Sequence, residues 1–225
     1  MNLKEEAIYD FHTHTLLSDG QLMPVELIRR AYTNGHRAVA ISDHVSASNM
    51  ERVLLETIRD CEIASQYMDI IALPAVEITH VPKDLISKLA RSAKELGARI
   101  VIVHGETICE PVQPGTNYEA LCSEHVDILA HPGLISEEEM KIARETNTFI
   151  ELSGRKGHCL TNGYVAKLAQ KEGALLLVNS DAHTPGDLFV PQLPKRIALG
   201  AGLDEEAAEM VVFRNPRQFL RRLGY

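Results

Sequence analysis

A single parallel β/α barrel is the fold this sequence predicts, and three observations predict it. Seven short apolar runs recur about 20–33 residues apart, each followed by a polar turn and then a helical pattern. The runs are rich in β-branched residues and do not alternate with polar ones, as expected of strands buried on both faces. Nearly every run contains, or is closely followed by, a histidine or a carboxylate. An open doubly wound sheet would instead gather its functional residues at one switch point.

In chain order, strands are expected at Ala7–Phe11, Ala38–Ser42, Ile70–Ile78, Arg99–Val103, Val126–Ala130, Thr148–Leu152 and Ala174–Val178. Helices are expected between them at Pro24–Thr33, Asn49–Tyr67, Lys83–Leu96, Ser136–Glu145 and Thr161–Glu172. Two more, Asp204–Phe213 and Pro216–Leu223, close the chain. Ser136 and Glu139 have capping-box spacing, and Gly35, Gly97 and Gly173 stand where helix C-caps belong.

The 225 residues, 45% of them hydrophobic, suffice for one core, so residues 1–225 are read as one domain. There is no long apolar run, and Met1-Asn2-Leu3-Lys4-Glu5-Glu6 lacks a signal-peptide pattern, so a cytoplasmic protein away from membranes is expected. The four cysteines are scattered with no Cys-x-x-Cys pair, against both a disulfide framework and a thiolate zinc site. A net charge of −8 disfavours nucleic acid as a partner. It leaves room for a small phosphorylated substrate if bound cations reverse the local field. An aromatic content of 5% without tryptophan argues against base-stacking platforms.

Ten histidines carry the rest. The first run leads into Asp10-Phe11-His12-Thr13-His14 and Ser18-Asp19-Gly20, and the second ends in Ser42-Asp43-His44. Glu77 lies in the third, and His104 and His131 follow the fourth and fifth. The sixth holds Glu151 ahead of Arg155-Lys156, and the seventh leads to Asp181-Ala182-His183. In a β/α barrel these strand ends converge on one face, where catalytic groups sit. The His12-x-His14 pair is expected to need a bend at the strand end before both imidazoles reach one site. Neutral imidazoles and carboxylates without thiolates are ligands for zinc, manganese or iron, and suit a catalytic site. Nine candidates (His12, His14, Asp19, His44, Glu77, His104, His131, Asp181 and His183) exceed what one or two ions require.

This ordered set resembles the PHP (polymerase and histidinol phosphatase) family over about residues 8 to 187. The resemblance implies a distorted (β/α)7 barrel, with a trinuclear metal site at the C-terminal ends of the strands. It implies that His12, His14, Glu77 and Asp181 hold one ion. Asp19, His44 and His183 would hold the second, and Glu77, His104 and His131 the third. It also implies a metal-dependent phosphoesterase, and a small phosphomonoester such as histidinol phosphate is the expected substrate. A phosphodiesterase or nucleotidase with the same three ions, an amidohydrolase, and a noncatalytic metal-binding interaction domain are the alternatives. Arg155 and Lys156 are expected to grip the phosphate, because arginine pairs bidentately with two oxygens. His158 is close enough in sequence to protonate a leaving group.

The other polar residues have plainer expectations. His36 and His125 precede their strands and belong to the opposite, stabilising face. His80 is read as a rim residue, and Glu106 as a solvated loop carboxylate. Asp43 and Glu151 are each read as a partner orienting a histidine or as a turn residue. Cys159 is the cysteine expected near the mouth.

Overall fold

The computed structural model describes residues 7–225, so the expectation for Met1–Glu6 lies outside the described residues. Eight parallel strands occupy seven barrel positions. They are β1 (Ile8–Asp10), β2 (His36–Ile41), β3 (His44–Val45), β4 (Ile71–Ile78), β5 (Ile100–His104), β6 (Ile128–Ala130), β7 (Phe149–Ser153) and β8 (Leu176–Asn179). The order is β1-β2-β4-β5-β6-β7-β8, and β3 continues the line of β2 along the same edge of β4. The expected strand Ala38–Ser42 corresponds to β2, and β3 resumes the pairing with β4 just beyond the Ser42-Asp43 interruption.

Helices α1 (Pro24–Thr33), α2 (Met50–Tyr67), α3 (Ile86–Glu95), α4 (Thr116–Leu121), α5 (Glu137–Thr146) and α6 (Asn162–Glu172) follow the strands. Beyond β8 come α7 (Leu193–Gly200), α8 (Glu205–Glu209) and α9 (Asn215–Arg222), with a π turn at Met210–Arg214 joining the last two. The Ser136/Glu139 capping box forms on α5, and Gly35, Gly97 and Gly173 take positive φ at their helix ends. No described helix is long and apolar enough to cross a membrane.

Two apolar layers explain why the strands do not alternate. Leu73, Ala75, Ile100, Ile102, Ile128 and Ala130 fill the barrel interior. Their neighbours Val76, Ile78, Val101, Val103 and Leu129 face outward against the helices. The N-terminal end of the barrel is plugged by α9. Its Phe219 meets Phe11 edge-on at 5.1 Å and Phe149 at 4.9 Å between ring centroids.

Closure between β1 and β8 is irregular. The segments just beyond the two strands pair there through a Thr13–Ala182 bridge. Asp181 N donates to His12 O at 2.9 Å, and His14 N donates to Ala182 O at 2.8 Å. Below the bridge, side chains replace the ladder: Phe11 N donates to Asn179 Oδ1 and Ser180 N to Asp10 Oδ1, both at 3.0 Å. The barrel is a nearly closed (β/α)7 barrel, and this seam is its distortion.

Candidate metal centre

Tyr9 and Phe11 point into the barrel, and so do His12 and His14, which means the chain changes face between Phe11 and His12. That step corrects the expected role of the bend. Residues two apart in extended chain already share a face. The irregularity therefore moves the His12–His14 pair inward as a unit. Thr13 turns away and donates its hydroxyl to Ala40 O at 2.6 Å.

Glu77 follows Leu73 and Ala75 in register and rises, fully buried, among the histidines. His12 Nε2 and His14 Nε2 lie 3.4 and 3.6 Å from its Oε2, and His131 Nε2 lies 3.5 Å from its Oε1. Asp181 Oδ1 is 3.2 Å from His14 Nε2 and 3.8 Å from His12 Nε2. A second group forms where Asp19 Oδ1 meets His44 Nε2 at 3.5 Å and His183 Nε2 at 3.3 Å, with His14 beside it. A third joins His104, His131 and His158. All nine sequence-predicted ligand candidates thus meet at one mouth, in three overlapping groups.

These spacings are informative. Ligand atoms 2.0–2.2 Å from one tetrahedral ion stand about 3.3–3.6 Å apart. The donor–donor distances of 3.2 to 3.8 Å match the edges of such polyhedra. Hydrogen bonds between the same groups would be shorter. Buried and without a hydrogen bond are His12 Nε2, both His14 ring nitrogens and both oxygens of Glu77. His44 Nδ1 does lie 2.7 Å from Glu77 Oε2, but its alignment does not make a hydrogen bond. Orphaned buried polar atoms are costly, and divalent cations would satisfy this set.

The electrostatics fit the same reading. Burial opposes charge at Glu77, yet His12 and His44 hold its carboxyl well below the usual range. Burial would also lower His12, but Glu151, Glu77 and Asp181 hold it well above an ordinary imidazole. His44 and His131 are raised against burial by the same carboxylate cluster. Burial, reinforced by His44 and His12, pushes His14 well down. Burial takes Asp181 up to about 6, with Glu77 and Glu151 adding to it.

Supporting residues hold the ligands in place. Glu151 lies two residues beyond the inward-facing Phe149 and so points into the barrel. Its Oε2 accepts from His12 Nδ1 at 2.8 Å and from Asn179 Nδ2 at 3.0 Å, an orienting carboxylate–histidine contact. Asp43 orients a loop, not a histidine. Its oxygens accept from Thr15 N and Oγ1 at 2.7 Å and from Ser18 Oγ at 2.6 Å, fixing the turn that carries Asp19. Gly20 is needed there, because a Cβ would stand 2.3 Å from His14 O. Glu106 is a loop clamp, accepting from Gly115 N at 2.9 Å and Asn117 N at 3.0 Å. His131 and Asp181 adopt positive φ of 25° and 53°, strained backbone at two candidate ligand positions.

Arg155 lines the mouth, with Nη1 2.7 Å from His183 Nδ1 and donating to Asp181 O at 3.4 Å. Lys156 is exposed and lies outside the residues lining the cavity, so the structure does not bring it to the site. His158, expected as a leaving-group acid, lies at the mouth. Burial, with His131 adding, pushes its imidazole down to about 3. Its Nδ1 lies 2.7 Å from Thr107 Oγ1, and the ring sits among the third group's donors. Glu110, which sequence reading passed over, reaches the same place from an exposed loop. His36 is buried away from the mouth, with Nδ1 2.9 Å from Ala31 O, and His125 lies beside Arg91. The cavity encloses about 490 Å³, within the range of small-molecule sites.

Barrel and donor set together define a divalent-metal protein of the β/α barrel class. The chain is 47% identical over 216 residues to the uncharacterised protein MJ1295 of Methanocaldococcus jannaschii, covering 96% of this chain and 99% of that one. It is 26% identical over 230 residues to a protein of Thermoanaerobacter sp. strain X514 named as a probable phosphatase, covering 89% of each. The fold is shared with a solved candidate histidinol phosphatase from Listeria monocytogenes. The TM-score is 0.57 at 12% identity, covering 80% of this chain and 97% of that one. No family model matches the chain. The chain belongs to one family with MJ1295, and its motifs, in order on this barrel, resemble those of the PHP (polymerase and histidinol phosphatase) family.

Proposed function

We propose that this protein is a phosphoesterase that hydrolyses a small phosphomonoester, histidinol phosphate being one candidate, with three divalent cations held by the nine ligands. The observation that carries this reading is the spacing of buried, unpaired donors around Glu77, at the edge lengths of coordination polyhedra. His12, His14, Glu77 and Asp181 would hold the first cation, Asp19, His44 and His183 the second, and Glu77, His104 and His131 the third. Zinc, manganese and iron all suit such donors. When bound, divalent cations lower the pKa of water and neutralise charge on phosphoryl oxygens.

The chain's own residues supply the rest. Arg155 presents donors at the mouth for the nonbridging oxygens of the phosphate. Glu151 holds the tautomer and orientation of His12 through Nδ1. The cavity has room for a metabolite-sized organic group, and the net charge of −8 argues against nucleic acid as a partner. Four free cysteines fit a reducing compartment, and the cytoplasm is the proposed location.

The test is a metal-replete screen of phosphomonoesters, including histidinol phosphate, against cyclic and dinucleotide diesters. Turnover of monoesters is expected to exceed that of diesters. Preference for diesters would overturn the monoester reading, and no turnover of either would overturn the enzyme reading.

A further inference from the structure

Three imidazoles from three separate segments aim at one loop carboxylate. Glu110 Oε2 lies 3.3 Å from His80 Nε2 and 3.2 Å from His104 Nε2, and Oε1 lies 3.5 Å from His158 Nε2. His104 Nδ1 faces the carbonyl of Gly105 at 3.2 Å. A carbonyl only accepts, so a hydrogen on Nδ1 leaves the lone pair of the neutral ring on Nε2. That lone pair then confronts a carboxylate oxygen, and the two repel each other unless a cation joins them. Their separation is close to the roughly 3.3–3.6 Å expected of two ligands on one ion.

Glu110 also differs from the buried histidines His104 and His158 in how it is held. Its side chain is 39% exposed, whereas those of His104 and His158 are 4% and 5% exposed. Around it the loop is anchored, by Glu106 to Gly115 and Asn117 and by Thr107 to His158. Among the described residues, no hydrogen bond holds the Glu110 carboxylate itself, so only the imidazole cluster positions it. It lines the same cavity as Arg155, where a phosphoryl group would have to enter. A carboxylate oxygen there has the same charge sign and the same donor atom as a phosphoryl oxygen.

We propose that Glu110 is a displaceable ligand of the third cation, occupying the coordination position that a phosphoryl oxygen takes when it binds. The proposal rests on the metal-centre reading above. Loss of the carboxylate weakens the third cation, and it strengthens phosphate by removing its internal competitor.

The test compares the full chain with Glu110→Gln and Glu110→Ala, using Mn²⁺ or Zn²⁺ and inorganic phosphate as probes. Metal content after equilibrium dialysis at graded free metal gives the affinity of each equivalent. Calorimetric titration of phosphate into protein at saturating metal gives the second readout. The weakest-held equivalent is expected to lose about tenfold in affinity while the others hold, and phosphate is expected to bind at least about threefold tighter. An unchanged third equivalent overturns ligation by Glu110, and unchanged phosphate affinity overturns displacement. Fewer than two equivalents in the unsubstituted protein would overturn the metal-centre reading itself, a failure visible before either variant is made.

Discussion

Replacing Glu151 by glutamine keeps the shape of the site and removes one buried charge. In the parent, Oε2 accepts from both His12 Nδ1 and Asn179 Nδ2, while Oε1 has no partner. A carboxamide oxygen in the Oε2 position keeps both hydrogen bonds, and its NH₂ falls where nothing was paired. Only the electrostatic part of the support to His12 is lost. Outer partners of metal-bound histidines are worth about 10- to 100-fold in affinity, so glutamine should cost the first metal about tenfold, or about 1.4 kcal/mol. Alanine, which removes the hydrogen bonds as well, should cost about 100-fold, or about 2.7 kcal/mol. A second effect opposes the first. After burial, Glu151 is the largest influence on His12 and raises it, so its removal also reduces proton competition for that ring. The deficit should therefore be greatest at alkaline pH and shrink as pH falls. Competition for metal with a chelator of known affinity, repeated at several pH values, measures this. Binding by Glu151→Ala within twofold of the parent at alkaline pH, in a folded protein, would refute the reasoning.

Other expectations follow from the same geometry. His12, His44 and His131 sit above the ordinary imidazole value, so they keep protons to higher pH, and ligation must expel them. Apparent metal affinity should rise with pH through that range, with proton release measurable calorimetrically in buffers of different ionisation enthalpy. Affinity independent of pH would contradict it. Phe219→Ala opens the plug at the end remote from the metals and should cost about 3–5 kcal/mol. That corresponds to a thermal midpoint about 6–20 °C lower, with metal stoichiometry unchanged, and a fall of under about 2 °C would show that the plug is not packed as described. His104→Ala should abolish most turnover, and full activity would remove it from the third site. Arg155→Ala should chiefly raise KM in steady-state assays. A fall in kcat alone would mean that Arg155 acts in the transition state instead.

The barrel was legible because strands buried on both faces leave unbroken apolar runs, as at Ile70–Ile78 and Arg99–Val103. The ligand candidates were legible because all but Asp19, which a turn carries, stand at or just beyond a strand end. Residues whose position depends on irregular backbone were harder to read. The role of the bend was misjudged because residues two apart already share a face, and the step between Phe11 and His12 lies beside seam contacts more than 160 residues away in sequence. Helices α4 and α7 were missed, being 6 and 8 residues long with weak periodicity. Glu110 gives no signal in its spacing, since nothing in an exposed loop says which way a carboxylate turns. Glu151 could have been placed by parity with Phe149, two residues earlier on an inward-facing register.

The seam has a consequence for how the chain is made. Phe11 and Asn179 are 168 residues apart. The segment bearing His12 and His14 therefore leaves the ribosome long before the segment bearing Asp181 that secures it. At about 5–20 residues per second, the wait is roughly 10–30 s. Through that interval the two earliest histidines have neither their closing backbone partners nor Asp181. A cation captured then would be held by an incomplete set of donors and exchange freely. On the proposed three-cation reading, loading of the first site would belong to the late part of synthesis, after the last strand arrives.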